Sequence, residues 1–305
     1  MAKGIGIRYS MKGFRALEIE RSFLGLSITR IVSSHFCEDG GAFLSRYGFD
    51  KNIPIAAGLV PGDFLSAYMN REKHMDDTDM ESHLKWEIQQ KIISDFSDYN
   101  YDFVVSKNAG FMFAGRKMLV NTVRNTFGHV ITDVEPVALL NGCEGTGAIE
   151  NGTCLLISVE AEGISSIVLQ DGNPVAMESF PVQLDNYSEK MPGLIFDGSE
   201  KDETETAAQL VEYITGSINR LTSRGEDKKK PTPDSLVLTG GGVYLDGLHA
   251  ELRNKVGIRT SIADPFRSEK VKIAANEPPL ECLGAAFTTC FGLALRAIEE
   301  QECSK

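Results

Sequence analysis

No stretch of the 305 residues approaches the ~20 uninterrupted apolar positions that a membrane-spanning helix needs. The N-terminal MAKGIGIRYSMKGF also lacks the apolar core of a secretory signal. The expectation is a cytoplasmic protein whose only membrane contact runs through a partner. Positive charge is scarce: 31 Lys and Arg stand against 43 Asp and Glu, a net charge of −12. That balance excludes the phosphate neutralisation behind general nucleic-acid binding. The one compact basic run, Lys228-Lys229-Lys230, lies between SRGED and PTPD and reads as a solvated loop. There is no C-x-x-C pair among Cys37, Cys143, Cys154, Cys282, Cys290 and Cys303, which read as reduced, mostly buried thiols. His35 and Cys37 share one face of a strand, but no second half of a metal site accompanies them, so no metal is expected. Other signatures are missing too. Gly4-x-Gly6 lacks the third glycine and the helix of a dinucleotide fingerprint, and the acids Asp76, Asp77, Asp79 and Glu81 lack the EF-hand's central glycine and final glutamate. Ser165-Ser166 has no nucleophile elbow around it.

What is present is an ordinary apolar content of 42% and length enough for about two domains. GIGIRYSMKGFRALEIERSFLGLSITRIVSSHF reads as three antiparallel strands broken at Lys12-Gly13 and Leu24-Gly25. GTCLLISVEAEGISSIVLQDGNPVAMESFPV repeats the pattern, with turns at Gly163 and Asp171-Gly172. Between the two meanders lie a strand at 53 to 60, a helix at 80 to 93 carrying Leu84, Ile88 and Ile92, and a hairpin across Asn108-Ala109-Gly110. A helix with Leu119, Val120, Val123 and Phe127 follows. Trp86 lies off the apolar stripe of its helix and is a candidate anchor for a partner peptide, or else packs on YDFVV; His129 reads as a helix-end residue bonding terminal carbonyls. Leu210, Val211, Ile214, Ile218 and Leu221 form a later helical stripe. Buried strand SLVLT then runs into Gly240-Gly241-Gly242 and an amphipathic helix.

Two meanders, an inserted α+β block and a strand–triple-glycine–helix unit resemble the actin-like ATPase architecture, an α/β fold with a duplicated RNase H-like core. The expected division is a first core at 1–45 and 135–150, an inserted α+β subdomain at 46–134, and a second core at 151–305 with a smaller lobe at about 186–232. SLVLTGGGVYLDGLHAELRNKVGIRTSIADPF, CLGAAFTTCFGLALR, WEIQQKI and FAGRKMLVNTVRNTFGHVITDVEPVALLN resemble the PilM family of type IV pilus assembly proteins. The resemblance implies a cytoplasmic protein that binds ATP in a central cleft. It also implies that the N-terminal tail of the membrane protein PilN is held in a groove beside the inserted subdomain, joining a pilus or secretion platform at the inner membrane.

Actin-like proteins place an Asp-x-Gly pattern at each meander, the carboxylate organising Mg²⁺ and the glycine admitting a phosphate. Alignment with the family puts Gly6 and Arg8 at the first such pair, and Ser158 and Glu160 at the second. A glutamate ~4 Å from a triphosphate costs roughly 4 kcal/mol per charge pair at an effective dielectric near 20. The expectation is therefore no cofactor or only weakly bound ATP, with Arg8 and Glu160 paired in the phosphate site. Gly240, Gly241, Gly242 and Glu212 remain as a degenerate nucleoside side, although the glycines also suit a turn of positive φ packed on Leu245 and Leu248. The leading expectation is a non-hydrolysing adaptor for a PilN-like tail. An active nucleotide switch and a sugar kinase of the same superfamily are the alternatives.

Overall fold

A computed structural model describes residues 1–10, 14–34, 40–72, 74–182, 187–189, 194–196, 200–223, 233–245, 247–274 and 283–303. The Lys12-Gly13 turn, the His35/Cys37 pair, Cys282 and the Lys228-Lys230 run lie outside the described residues.

Strands β1 (Ala2–Tyr9), β2 (Phe14–Ser22) and β3 (Gly25–Ser34) form the first antiparallel meander. After α1 (Gly40–Arg46), β4 (Ile55–Leu59) lies parallel to β1. The chain then leaves this sheet for β5 (Phe64–Asn70), α2 (Asp77–Lys91), β6 (Tyr99–Val105) and β7 (Ala109–Arg116), and returns through α3 (Lys117–Phe127) to β8 (Val130–Val134), parallel to β4. Helix α4 (Glu135–Thr146) leads to the second meander, β9 (Thr153–Glu160), β10 (Gly163–Gln170) and β11 (Asn173–Pro181). The small pair β12 (Tyr187–Glu189) and β13 (Leu194–Phe196) precedes α5 (Glu200–Ser223), β14 (Ser235–Thr239), α6 (Leu248–Val256), β15 (Arg259–Ile262), β16 (Val271–Ile273) and α7 (Thr288–Cys303).

The duplication is visible in the sheet order. The first sheet runs β16-β3-β2-β1-β4-β8 and the second β11-β10-β9-β14-β15, so each half has a meander whose first strand is continued by two parallel strands. Strand β9 is buried along almost its whole length, because β10 and β14 flank it and both sheet faces are covered.

The domain boundaries differ from those expected. Strands β4 and β8 fall inside 46–134, yet both are members of the first sheet; the inserted unit proper is β5, α2, β6 and β7, with its own sheet of order β5-β7-β6. Its core is Met80, Leu84 and Ile88 on α2 against Ala67, Tyr99, Met112 and Ala114. The C-terminal segment is also reassigned. β16 pairs with β3 and α7 packs on β1, β4 and α4, so both belong to the first half rather than to a second core reaching 305. Likewise the apolar stripe of α5 joins the core of the second sheet, with Leu210, Ile214 and Leu221 packed among Leu155, Ile164 and Leu236. Hydrophobic period identifies an element but not the sheet that receives it, which is why these assignments needed tertiary pairing.

Helix α7 lies unusually close to its neighbours. A Cβ at Gly292 would stand 1.8 Å from the Ala138 carbonyl oxygen, and one at Gly142 would stand 2.3 Å from that of Thr288. Asp76 caps α2 by accepting from the Asp79 N–H, which accounts for the acidic entry without a cation. Helix α3 is closed by the Gly128 N–H on Arg124 rather than by His129, since Gly128 adopts φ 82°. Trp86 is exposed on the outer face of α2, 57% accessible.

Candidate functional site

In the β1–β2 register, Arg8 stands directly opposite Arg15. Two like charges across an antiparallel pair repel unless something neutralises them. Here the second half supplies the carboxylates. Glu160 ends β9, Glu162 sits in the turn before β10, and Glu135 opens α4. Arg15 forks onto Glu160, with Nη1 3.0 Å from Oε1 and Nη2 2.8 Å from Oε2, and also donates to the Ala286 carbonyl. Arg8 donates from Nε to Glu135 Oε2 at 3.2 Å and from Nη2 to Glu162. The second Glu135 oxygen lies 3.3 Å from Ser165 Oγ, which in turn lies 2.9 Å from Ser179 Oγ. Arg8, Arg15, Glu135 and Glu160 are each no more than 1% exposed.

The electrostatics follow from that crowding. Two guanidiniums face three carboxylates, so one negative charge is in surplus. Burial pushes the Glu135 carboxyl up to about 7 despite Arg8, and Glu160 and Glu162 push in the same direction. Burial also opposes the charge on Glu162, but Arg8, Ser10 and Arg15 outweigh it and hold that carboxyl below its ordinary range. Burial raises nearby Asp63 as well, with Glu162 adding to the effect.

Most of the residues expected at the altered phosphate motifs converge here. Arg8 Nε lies 4.0 Å from Glu160 Oε1, so that pairing is present, but the principal partner of Glu160 is Arg15. The glycine turn joins the cluster, for the Gly241 N–H points at Glu160 Oε2, 3.3 Å away. Ser158 is fully buried between Ser165 and Thr239, and its hydroxyl has no hydrogen-bond partner among the described residues. Gly6 plays a different part. A Cβ there would stand 1.8 Å from the Cys290 carbonyl oxygen, so the backbone of α7 fills the space a first-motif carboxylate would need.

The triple glycine turn owes its composition to packing against β9. Gly240 has φ 86°, and its Cβ would meet the Val159 carbonyl at 2.4 Å; a Cβ at Gly242 would meet Val159 Cγ1 at 2.4 Å. Val159, rather than Leu245 or Leu248, sets that limit. Gly241 and Gly242 begin a short 3₁₀ turn, Gly241–Tyr244, with Gly240 as its N-cap. Glu212 does not share this site. It is paired with Lys255 in an outer cavity of about 340 Å³ between α5 and α6, whose lining includes none of the three glycines.

Sequence reasoning missed Arg15, Glu135 and Glu162. Arg15 was within reach, since counting back across the hairpin from Arg8 places it opposite. The two glutamates come from elements 127 and 154 residues away from Arg8, and only the tertiary fold brings them there.

A second feature lies beside the insert. A groove of about 510 Å³ separates β6 from β8, and each of these is an edge strand of its sheet. Apolar walls come from Leu59, Val104, Phe113 and Val137, and a polar rim from Arg124, Asp133, Arg296 and Glu299. The Thr132 hydroxyl is buried in this wall without a hydrogen-bond partner among the described residues. Burial raises the Asp133 carboxyl, partly offset by its bond from the Val134 N–H and by Arg296.

Two sheets of duplicated topology, with a glycine turn between β14 and α6, make the actin-like ATPase fold. The fold neighbours agree. A Bacteroides thetaiotaomicron protein with actin-like ATPase fold and unknown function matches at TM-score 0.52 and 13% identity, over 94% of this chain and 96% of that one. The Spiroplasma citri MreB 5 bound to AMPPNP matches at TM-score 0.50 and 10% identity, over 100% and 99%. Within the class, residues 207–298 match the family model for the type IV pilus assembly protein PilM, bearing out the resemblance read from the motifs. The PilM-PilN type IV pilus biogenesis complex superposes at TM-score 0.69 with 18% identity, covering 97% of this chain and 98% of that one. Comparison with curated proteins gives no significant match.

Proposed function

We propose that this protein is a non-hydrolysing, actin-like adaptor of a type IV pilus assembly platform, cytoplasmic and held at the inner membrane by the tail of a PilN-like partner. What supports the first half of this reading is the Arg8–Arg15–Glu135–Glu160–Glu162 cluster: Arg8 and Glu160, at the positions the motif alignment assigns to phosphate binding, are held in buried ion pairs of the protein itself. A Mg²⁺ triphosphate entering there would displace these bonds and meet Glu160 head on. No carboxylate stands free at either motif position to organise the metal.

The groove supports the second half. Two facing strand edges offer unpaired backbone groups to an extended segment, and the apolar wall offers pockets for alternate side chains. The similarity to a PilM-PilN complex supports a PilN-like tail as the occupant. The test is fluorescence anisotropy with a labelled peptide comprising the N-terminal residues of the PilN-like protein from the same genome. Saturable binding is expected, together with at least tenfold weakening by Val104→Arg. Val104 is 45% exposed, so that variant should keep the wild-type unfolding midpoint. Absence of binding, or binding that Val104→Arg leaves unchanged, would contradict the assignment of the groove.

A further inference from the structure

The charge cluster and the groove share one joint. Strand β8 contributes Thr132, Asp133 and Val134 to the groove wall, α4 contributes Val137, and Glu135 lies between them with its side chain turned into the cluster. The joint is otherwise held by the β4–β8 ladder, in which Val134 pairs with Leu59, and by α7 packed on α4; its own capping bonds are local. Val134 at the N-cap of α4 gives no side-chain cap, Pro136 has no N–H, and the Val134 N–H is held by its neighbour Asp133 at 2.7 Å. The bonds from Glu135 to Arg8 and Ser165 add a polar tie from the start of α4 to β1 and β10.

We propose that Glu135 is the positioning residue of the groove: a proton on its carboxyl keeps the β8–α4 joint closed, and loss of that proton loosens the groove wall. Charge balance supports this. With Glu135 neutral, the guanidiniums of Arg8 and Arg15 are matched by Glu160 and Glu162, two against two. With Glu135 ionised, the surplus charge is sealed among Glu160, Glu162 and Arg8, and opening the joint to water relieves it. Every element around Glu135 bears on this balance. Strand β1 presents Arg8, β2 presents Arg15 through Glu160, β9 and its turn present Glu160 and Glu162, and β10 presents the hydroxyl of Ser165. The segment after β4 adds Asp63, which feels Glu162 and Arg8. Helix α7 contributes the Cys290 thiol, pushed up to about 12 by burial and so neutral throughout, while its Arg296 and Glu299 face Asp133 in the groove. The raised Glu135 carboxyl agrees in sign: the closed joint binds the proton more tightly than the open one, so rising pH favours opening.

The functional meaning rests on the groove being the partner site, but the coupling is testable without a partner. Amide hydrogen exchange of Val130–Val134 is measured at pH 6 and pH 8 and corrected for intrinsic rates. Protection should fall roughly tenfold from pH 6 to pH 8, the change that a carboxyl moving between about 7 when closed and its ordinary value when open produces. In Glu135→Gln, verified as folded by far-ultraviolet circular dichroism, the protection should be the same at both pH values. Should that variant not fold, Glu162→Gln serves: removing one carboxylate leaves Glu135 to balance Arg8, and the pH step should move below 6. Helix α2, in the core of the insert and away from the groove lining, is the internal reference. An equal pH dependence there, a β8 protection that ignores pH in the wild type, or a step that persists in the variants would overturn the proposal. The anisotropy titration of the tail peptide, run separately, decides the docking assignment, so the two failures are distinguishable.

Discussion

Arg15 carries the most weight of any side chain in the cleft, because it is the fork partner of Glu160 and the donor to Ala286. Removing one member of a buried pair leaves an uncompensated charge at a cost of about 3–5 kcal/mol. Arg15→Met should lower the urea unfolding free energy by that amount, and the double variant Arg15→Met/Glu160→Gln should recover much of it. A cost below about 1 kcal/mol for the single variant would mean that the pair is not buried as described. Glu135 makes a pH-dependent contribution of opposite sense to Glu162. Its carboxyl is raised in the folded state, so its favourable contribution is complete below the ordinary carboxyl range, declines as pH rises, and levels off above about 7. Glu135→Gln should therefore gain on the wild type between pH 5 and pH 8, by about 3 kcal/mol in order of magnitude, as read from urea midpoints. A difference that stays constant across that range would contradict the assignment. Arg8 and Glu160 were legible from motif alignment because strand position fixes which face each occupies. Glu162 and Glu135 were not, since nothing local marks a carboxylate whose partner lies more than a hundred residues away in the chain.

Strand existence was well encoded by alternation and turn glycines, and all six meander strands occur where the pattern places them. The destinations of β4, β8, β16 and α7 were not encoded, because a short apolar run buried in a parallel sheet looks the same whichever sheet receives it. The packing of α7 on β1 makes Gly6 a steric necessity. Restoring the carboxylate by Gly6→Asp should not restore nucleotide chemistry, since even Gly6→Ala sets a methyl 1.8 Å from a carbonyl oxygen of a buried helix. Loss of stability of roughly 3 kcal/mol or more is expected for Gly6→Ala, seen as a lowered thermal midpoint or as insoluble expression. Unchanged stability would show that α7 is free to retreat. On the other side of the cleft, Gly240→Ala meets both a positive φ and the Val159 carbonyl, and should be similarly severe.

Across the two halves, the buried cluster links the first sheet to the second through charge-assisted bonds. The halves are joined by residues of β1 and β2 on one side and of β9 and its turn on the other, with α4 between them. The groove adjoins the same N-terminal end of α4, through Val134 and Val137. The most direct measurement is isothermal titration calorimetry of the intact protein with Mg²⁺–ATP at neutral pH. No saturable heat up to millimolar nucleotide is the result expected of a cleft already filled by its own side chains. Stoichiometric binding with a dissociation constant below ~10 μM, near −7 kcal/mol, would contradict it, because such affinity requires the arginine–glutamate cluster to yield its place to phosphate.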